Sequence, residues 1–294
     1  MVLKYYETRM NFGDQLNPMI FHHFLPGFFD GSTDRLFLGI GTLLGMEDQS
    51  QDAREILVFS SGCGYADRVE VDQRYRIICL RGPLTARRLG VDPRLAISDG
   101  ALLLEKMNFT RPAKKYPYAF LPHHVSEDMF DRWPEMAHDA GVHYISPAGE
   151  PHTVIEEIMK TKVLFTEAMH GAIVADVFRV PWIPVKAYGH INLFKWKDWA
   201  MSMNLDISHH RITSLLGHQT IQQIAGERFA QPWQQPLRQV YKNYQSVRTS
   251  MNKRRLVRDL KKLKNQNPFL SSPRLLTERA DQLLEKIEHV KTFK

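Results

Sequence analysis

Cysteine is nearly absent: the 294 residues include only Cys63 and Cys79. One pair, each in or beside a predicted strand, excludes a disulfide-stapled scaffold and reads as two reduced, buried thiols. No apolar run approaches the roughly 18 residues needed to span a bilayer. The opening Met1-Val2-Leu3-Lys4-Tyr5-Tyr6-Glu7 alternates like a strand and lacks a signal peptide's apolar core. No His or Cys cluster has metal-ligand spacing, so no metal is expected. There is no fixed-period repeat, no low-complexity tract and no aromatic-interleaved RNA signature. These absences point to a cytoplasmic globular protein.

With 43% hydrophobic and 24% charged residues, the chain can bury an ordinary core. The net charge of +7 is unevenly placed. Residues 241–294 hold 14 Lys+Arg against 5 Asp+Glu, while the rest holds 25 against 27. The body is near neutral and the tail is basic, which calls for an acidic partner and says nothing about fold.

Strands are predicted at Val2–Tyr6, Leu36–Ile40, Ile56–Phe59, Ile77–Leu80, Tyr118–Leu121, His143–Ile145, Val163–Thr166 and Trp182–Val185. Between them lie helical patterns at Asn17–Phe24, Pro83–Leu89, Glu127–Ala140, Pro151–Lys160, His170–Phe178 and Phe194–Met203. That alternation predicts an α/β fold with parallel sheets covered by helices. The polar stretch Lys106–Pro117 reads as a linker, giving α/β domains at 1–112 and 113–207 and a helical, basic extension at 208–294. In the extension, helices are expected at Gln219–Ala230, Pro236–Leu263 and Arg274–Val290. Leu256, Leu260 and Leu263 recur at helical spacing among many cations. Such a helix either lies on an anionic membrane surface or packs on the body by its leucines.

In parallel α/β sheets ligands bind beyond the carboxyl ends of strands. Four segments fall at such positions. Asn11-Phe12-Gly13-Asp14 follows the first strand; Asp14 or Asn17 could cap a helix starting near Pro18, and the loop could hold a sugar hydroxyl. The glycine-rich turns carrying Gly41 and Gly62 do not fit a dinucleotide fingerprint, but their N–H groups could cradle an anion. Arg81 precedes Gly82-Pro83 at a helix start, where a guanidinium can clamp a carboxylate. Finally, Met169-His170-Gly171 repeats the strand–turn–helix layout in the second half. Each residue also has a structural reading, a salt bridge for Arg81 and a packed imidazole for His170.

Taken together, the Asn-Phe-Gly-Asp loop, Arg81-Gly82-Pro83 with Thr85, Ser98-Asp99-Gly100-Ala101, Phe120-Leu121-Pro122-His123, Met169-His170-Gly171, Val180-Pro181-Trp182 and Phe194-Lys195-Trp196-Lys197-Asp198 resemble the polysaccharide pyruvyl transferase family. Members of that family move the carboxyvinyl unit of phosphoenolpyruvate onto sugars as a ketal. The likeness is to its exopolysaccharide branch and covers residues 2 to 205. It implies two Rossmann-like domains facing across a cleft, as in GT-B glycosyltransferases. It further implies that Arg81, His170 and Lys195 bind the carboxylate and phosphate, with His170 near the reacting carbon. On this reading His170 is the acid or base, Asp14 and His123 serve the acceptor, and Asn11, Gly41 and Gly62 line the substrate site. Phosphoenolpyruvate is the donor, no cofactor is needed, and the acceptor is a saccharide or lipid-linked oligosaccharide. The enzyme would work in the cytoplasm, or peripherally on the inner face of the membrane through residues 241–294, with no nucleic-acid partner. The rivals are a GT-B nucleotide-sugar glycosyltransferase, with Asp176 in the place of a ribose-binding carboxylate, and a lipid- or RNA-binding scaffold.

Overall fold

The computed structural model describes residues 1–7, 10–45, 52–65 and 69–293. Among the described residues, short apolar runs form two sheets whose strands pair in parallel, with one antiparallel bridge added at Trp182 and Phe269. The first contains β1 (Val2–Lys4), β2 (Arg35–Leu38), β3 (Glu55–Ser61) and β4 (Tyr75–Leu80), laid side by side in that order. The second holds β5 (Tyr116–Leu121), β6 (His143–Tyr144), β7 (Thr161–Thr166), β8 (Trp182–Lys186) and the short β9 (His210–Arg211). Its spatial order is β6-β5-β7-β8-β9. All eight predicted strands are present; β9, only two residues long, carries no periodic signal.

The two sheets differ in a way that matters for ligands. In the second, chain order reverses between β5 and β7, the doubly wound arrangement that opens a crevice at the carboxyl ends of those two strands. Among the described residues the first sheet has no reversal, so its strand order departs from the Rossmann-like expectation.

Helices follow the strands. α1 (Phe12–Phe24) follows β1, and α2 (Pro83–Leu89) follows β4. α3 (His124–Met129) and α4 (Trp133–Asp139) replace the single helix expected over 127–140, because Phe130 is extended between them. α5 (Pro151–Met159), α6 (Met169–Val177) and α7 (Leu193–Ser202) complete the second half. α1 starts five residues before the expected Asn17. Its N-cap is Asn11, whose side chain accepts from Gly13 N–H at 3.2 Å. Asn17 instead exchanges bonds with Ile40, accepting from its N–H at 2.7 Å and donating to its carbonyl at 3.0 Å. That buried clip fixes α1 against the end of β2.

The extension divides its packing between the two halves. α8 (His218–Arg228) leads to α9 (Gln235–Leu263), whose Leu256, Leu260 and Leu263 are buried with Trp133 and Met136 of α4. α10 (Pro273–Val290) returns to the first sheet, where Leu276, Leu283, Ile287 and Val290 join the core of Leu57, Cys79 and Leu102. Thr277 and Asp281 bind Glu105 and Lys106, at 2.7 and 2.6 Å. The α9 leucines thus pack on the body and are not a lipid-facing row. No helix among the described residues is long and apolar enough to cross a membrane.

Candidate active site

A pocket of about 440 Å³ lies at the carboxyl ends of both sets of strands. The first half lines it with Tyr6, Asn11, Phe12 and Asp14 after β1, Gly41–Leu43 after β2, and Tyr65 after β3. Facing residues are His123–Val125 after β5, Glu167–His170 after β7, and His190, Ile191, Asn192, Lys195 and Trp196 after β8. The β5 and β7 loops flank the point where the second sheet reverses, so topology places the pocket where a ligand is expected.

Four helices begin at this pocket. α1, α3 and α7 have their first N–H groups capped by the side chains of Asn11, His123 and Asn192. α6 is different: its N-cap is Ala168, which offers no side-chain acceptor. The Ala168 N–H is taken by Thr166 Oγ1 at 3.0 Å, so it is the next N–H groups, at Met169 and His170, that turn the positive end of the helix dipole to the pocket.

His170 stands in the first turn of α6, largely buried, against the backbone of α1. A Cβ on Gly13 would lie 2.3 Å from His170 Nδ1, so only glycine lets the two helix starts meet. On its other side, His170 Nε2 is 3.8 Å from Asp99 Oδ2. Asp99 is fully buried and its Oδ1 caps the 3-10 turn at Gly100–Lys106. Neither Asp99 Oδ2 nor His170 Nε2 has a hydrogen-bond partner among the described residues.

Asp14 accepts from Asn11 Nδ2 at 2.7 Å. Burial raises its carboxyl above the ordinary value, opposed by His170, the Asn11 bond and Lys195. Lys195 Nζ donates to Tyr65 Oη at 2.7 Å on the exposed rim. Asn192 caps α7 while its Nδ2 donates to Gly64 O at 2.7 Å, tying the two halves together beside Lys195. His123 Nδ1 accepts from Val125 N–H, and its ring lies 5.0 Å from that of His190. His190 is held below its ordinary value by burial, then by Lys186 and Lys195. Glu167 is fully buried and joins three loops, accepting N–H bonds from Ala187 at 2.6 Å and His123 at 3.4 Å. Burial raises its carboxyl, against the bonds from Ser126 and these N–H groups.

Of the sequence-derived residues, the fold brings His170, Asp14, Lys195, His123, Asn11 and Gly41 to one pocket. Arg81 and Gly62 lie behind its wall. Arg81 is fully buried; Nε is 3.1 Å from Asp198 Oδ2, and its terminal nitrogens donate to Gly41 O, Thr42 Oγ1 and Cys63 O. Asp198 also accepts from Thr85 N–H at 2.9 Å and Thr85 Oγ1 at 2.6 Å. The start of α2 is an anion site, as its position implied, but α7 supplies the anion. Gly62 has no Cβ because one would lie 2.2 Å from the guanidinium of Arg81. Asp176 is likewise engaged: it binds Trp182 Nε1 at 3.1 Å and Ser271 N–H at 2.8 Å, away from the pocket. Asp176, whose position alone left the nucleotide-sugar alternative open, is thus held by Trp182 and Ser271.

Sequence reading missed Asp99, Asn192, His190, Glu167 and Tyr65. Asp99 and the loop before Asn192 sat inside or beside quoted motifs; Tyr65 carried no signal.

Comparison with known proteins bears on this geometry. Residues 68–188 match the polysaccharide pyruvyl transferase family, a span that includes Asp99, His123 and His170. Over 212 residues the chain is 37% identical to the succinoglycan biosynthesis protein ExoV of Rhizobium meliloti (strain 1021). That alignment covers 71% of this chain and 66% of the relative, just under two thirds of its length. No solved structure matches the chain. The family match takes in the β5 and β7 loops of the pocket, and with the 37% identity to the relative the chain belongs to the polysaccharide pyruvyl transferase family.

Proposed function

We propose that this chain transfers the enolpyruvyl unit of phosphoenolpyruvate to a hexose of an exopolysaccharide, free or lipid-linked, and closes it as a pyruvate ketal. The observation that carries this reading is the pocket itself. An uncapped helix start, a lysine, a buried histidine and a buried carboxylate surround a space large enough for a small phosphorylated acid and one sugar. The relative's name, a succinoglycan biosynthesis protein, agrees with a polysaccharide acceptor.

In this reading the donor phosphate sits at the N–H groups of α6 with Lys195. His170 delivers a proton to the terminal vinyl carbon, leaving positive charge at carbon 2, and Asp99 behind it stabilises and orients the imidazole. A sugar hydroxyl adds to carbon 2 and loses its proton to Asp14 or His123. Phosphate then departs, and a second hydroxyl of the same sugar closes the ring. One phosphoenolpyruvate and one sugar diol give one ketal and one phosphate. Only proton transfer and fixed charge are called upon, with no cofactor.

Arg81 is a positioning residue on this account. It holds Gly41 and Thr42, which line the pocket, from behind. Gly41 has φ +128°, so the turn that presents it requires glycine. The facing of two parallel sheets across the pocket supports a GT-B-like organisation with domains near 1–112 and 113–207. The extension is then shared, α9 with the second and α10 with the first.

The test incubates the purified chain with phosphoenolpyruvate and hexosyl acceptors, following phosphate release and the ketal methyl group by NMR. Equal amounts of phosphate and ketal are expected. Phosphate release without ketal, or stabilisation in a thermal shift by UDP but not phosphoenolpyruvate, would sink the reading.

A further inference from the structure

One face of α9 is fixed against the second half by Leu256, Leu260 and Leu263, and by Thr249 Oγ1, which donates to Leu216 O at 3.2 Å. The opposite face points away from the body. It carries Trp233, just before the helix, then Leu237, Val240, Tyr244, Val247 and Met251, each 52–74% exposed. These residues recur in alternating steps of four and three, which at helical periodicity makes one continuous stripe. Single exposed apolar side chains are ordinary, but a row of six is the mark of a surface that meets a partner.

Charge says which partner. The same register continues beyond Met251 as Arg255, Arg258 and Lys262, all exposed. From Phe229 to Arg258 there are seven Lys and Arg and no Asp or Glu. We propose that this stripe is the docking face for an anionic lipid surface, with α9 lying in the plane of the membrane. The apolar side chains enter the headgroup boundary, Trp233 and Tyr244 sit at the depth that suits an amphipathic ring, and Arg255, Arg258 and Lys262 meet lipid phosphates. A second copy on the same stripe would oppose two cationic segments with no acid in either. Nucleic acid would match the charge but has no use for a row of Leu, Val and Met, since its recognition rests on phosphate contacts and aromatic stacking. The face that docks is the one opposite the α9 leucines, which are spent on the body. This inference is independent of the proposed reaction.

The test sediments the full chain with vesicles of phosphatidylcholine alone and of phosphatidylcholine with phosphatidylglycerol, at low and high salt. Expected are binding to the anionic vesicles, little to the neutral ones, and weakening by salt. The variant L237S/V240S/V247S should bind roughly tenfold or more weakly with an unchanged circular dichroism spectrum and unchanged phosphate release from phosphoenolpyruvate. R255Q/R258Q should weaken binding to anionic vesicles alone. Absence of vesicle binding, equal binding to neutral vesicles, or full binding by the serine variant overturns the proposal. So does a doubled mass in light scattering, or RNA binding, that the serine variant loses while neither protein binds vesicles.

Discussion

Arg81 and Asp198, 117 positions apart in the chain, form an ion pair at 3.1 Å with neither side chain exposed. The pair joins the start of α2 to the middle of α7, and both partners have further hydrogen bonds that satisfy their remaining atoms. Removing one member leaves a buried charge without its partner, which costs about 3–5 kcal/mol. Arg81→Met and Asp198→Asn should each lower the urea midpoint accordingly, and the double variant should lose less than the two together. Were Arg81 a direct ligand, Arg81→Lys would raise the KM for phosphoenolpyruvate while leaving the urea midpoint alone.

His170 and Asp99 should behave as a donor and its support. His170→Asn should lower kcat by about 10²–10⁴-fold, the usual contribution of a positioned acid or base, with little change in KM. Asp99→Asn should lower kcat less than His170→Asn with KM unchanged, and the double variant should be no slower than H170N, a pattern that a purely structural role would not produce. Equal kcat in wild type and H170N would exclude the assignment.

Lys195 sits at the rim and is predicted to serve the donor phosphate. Losing a charged hydrogen bond costs about 1.5–3 kcal/mol, so Lys195→Met should raise the KM for phosphoenolpyruvate about 10–100-fold. Tyr65→Phe, which removes only the partner of Lys195, should have a smaller effect. A K195M variant with wild-type KM would place the phosphate elsewhere.

Asp14 is predicted to be a base that burial holds protonated to higher pH than a free aspartate. A base must be ionised, so activity should rise with pH through this raised value. Asp14→Asn should remove that acid-side limb from the profile of kcat/KM. Retention of the limb would move the role to His123.

His209 gives a pH dependence of stability. Burial, then Lys186 and His210, lowers it from 6.5 to about 4. The unfolded chain takes up the proton first as pH falls. The stabilisation is therefore complete above pH 6.5 and is lost as pH drops towards 4. That loss is up to about 3 kcal/mol. In urea titrations His209→Phe, which keeps the ring contact with Trp196, should flatten this dependence.

Much of the fold was legible because parallel strands buried on both faces leave short apolar runs. All eight runs were real. What the pattern missed was decided by tertiary contact. Nothing local distinguishes Asn17 as a clip from Asn17 as a cap until Ile40 is placed beside it. Within the site, His170, Asp14 and Lys195 were readable from motifs at strand ends. Arg81 was in the right kind of position, but its anion comes from 117 residues away, which no local reasoning reveals. The stripe on α9 was hidden by the stronger signal of its own buried leucines.

The place of α10 bears on how the molecule is assembled. Strands β1 to β4 leave the ribosome early, yet the core around Leu57, Cys79 and Leu102 is completed by a helix that begins at Pro273. The first sheet must wait, partly uncovered, until the whole of the second half has been made. Fragments ending near residue 207 should expose that apolar surface and aggregate, whereas supplying 265–293 as a separate peptide should rescue them.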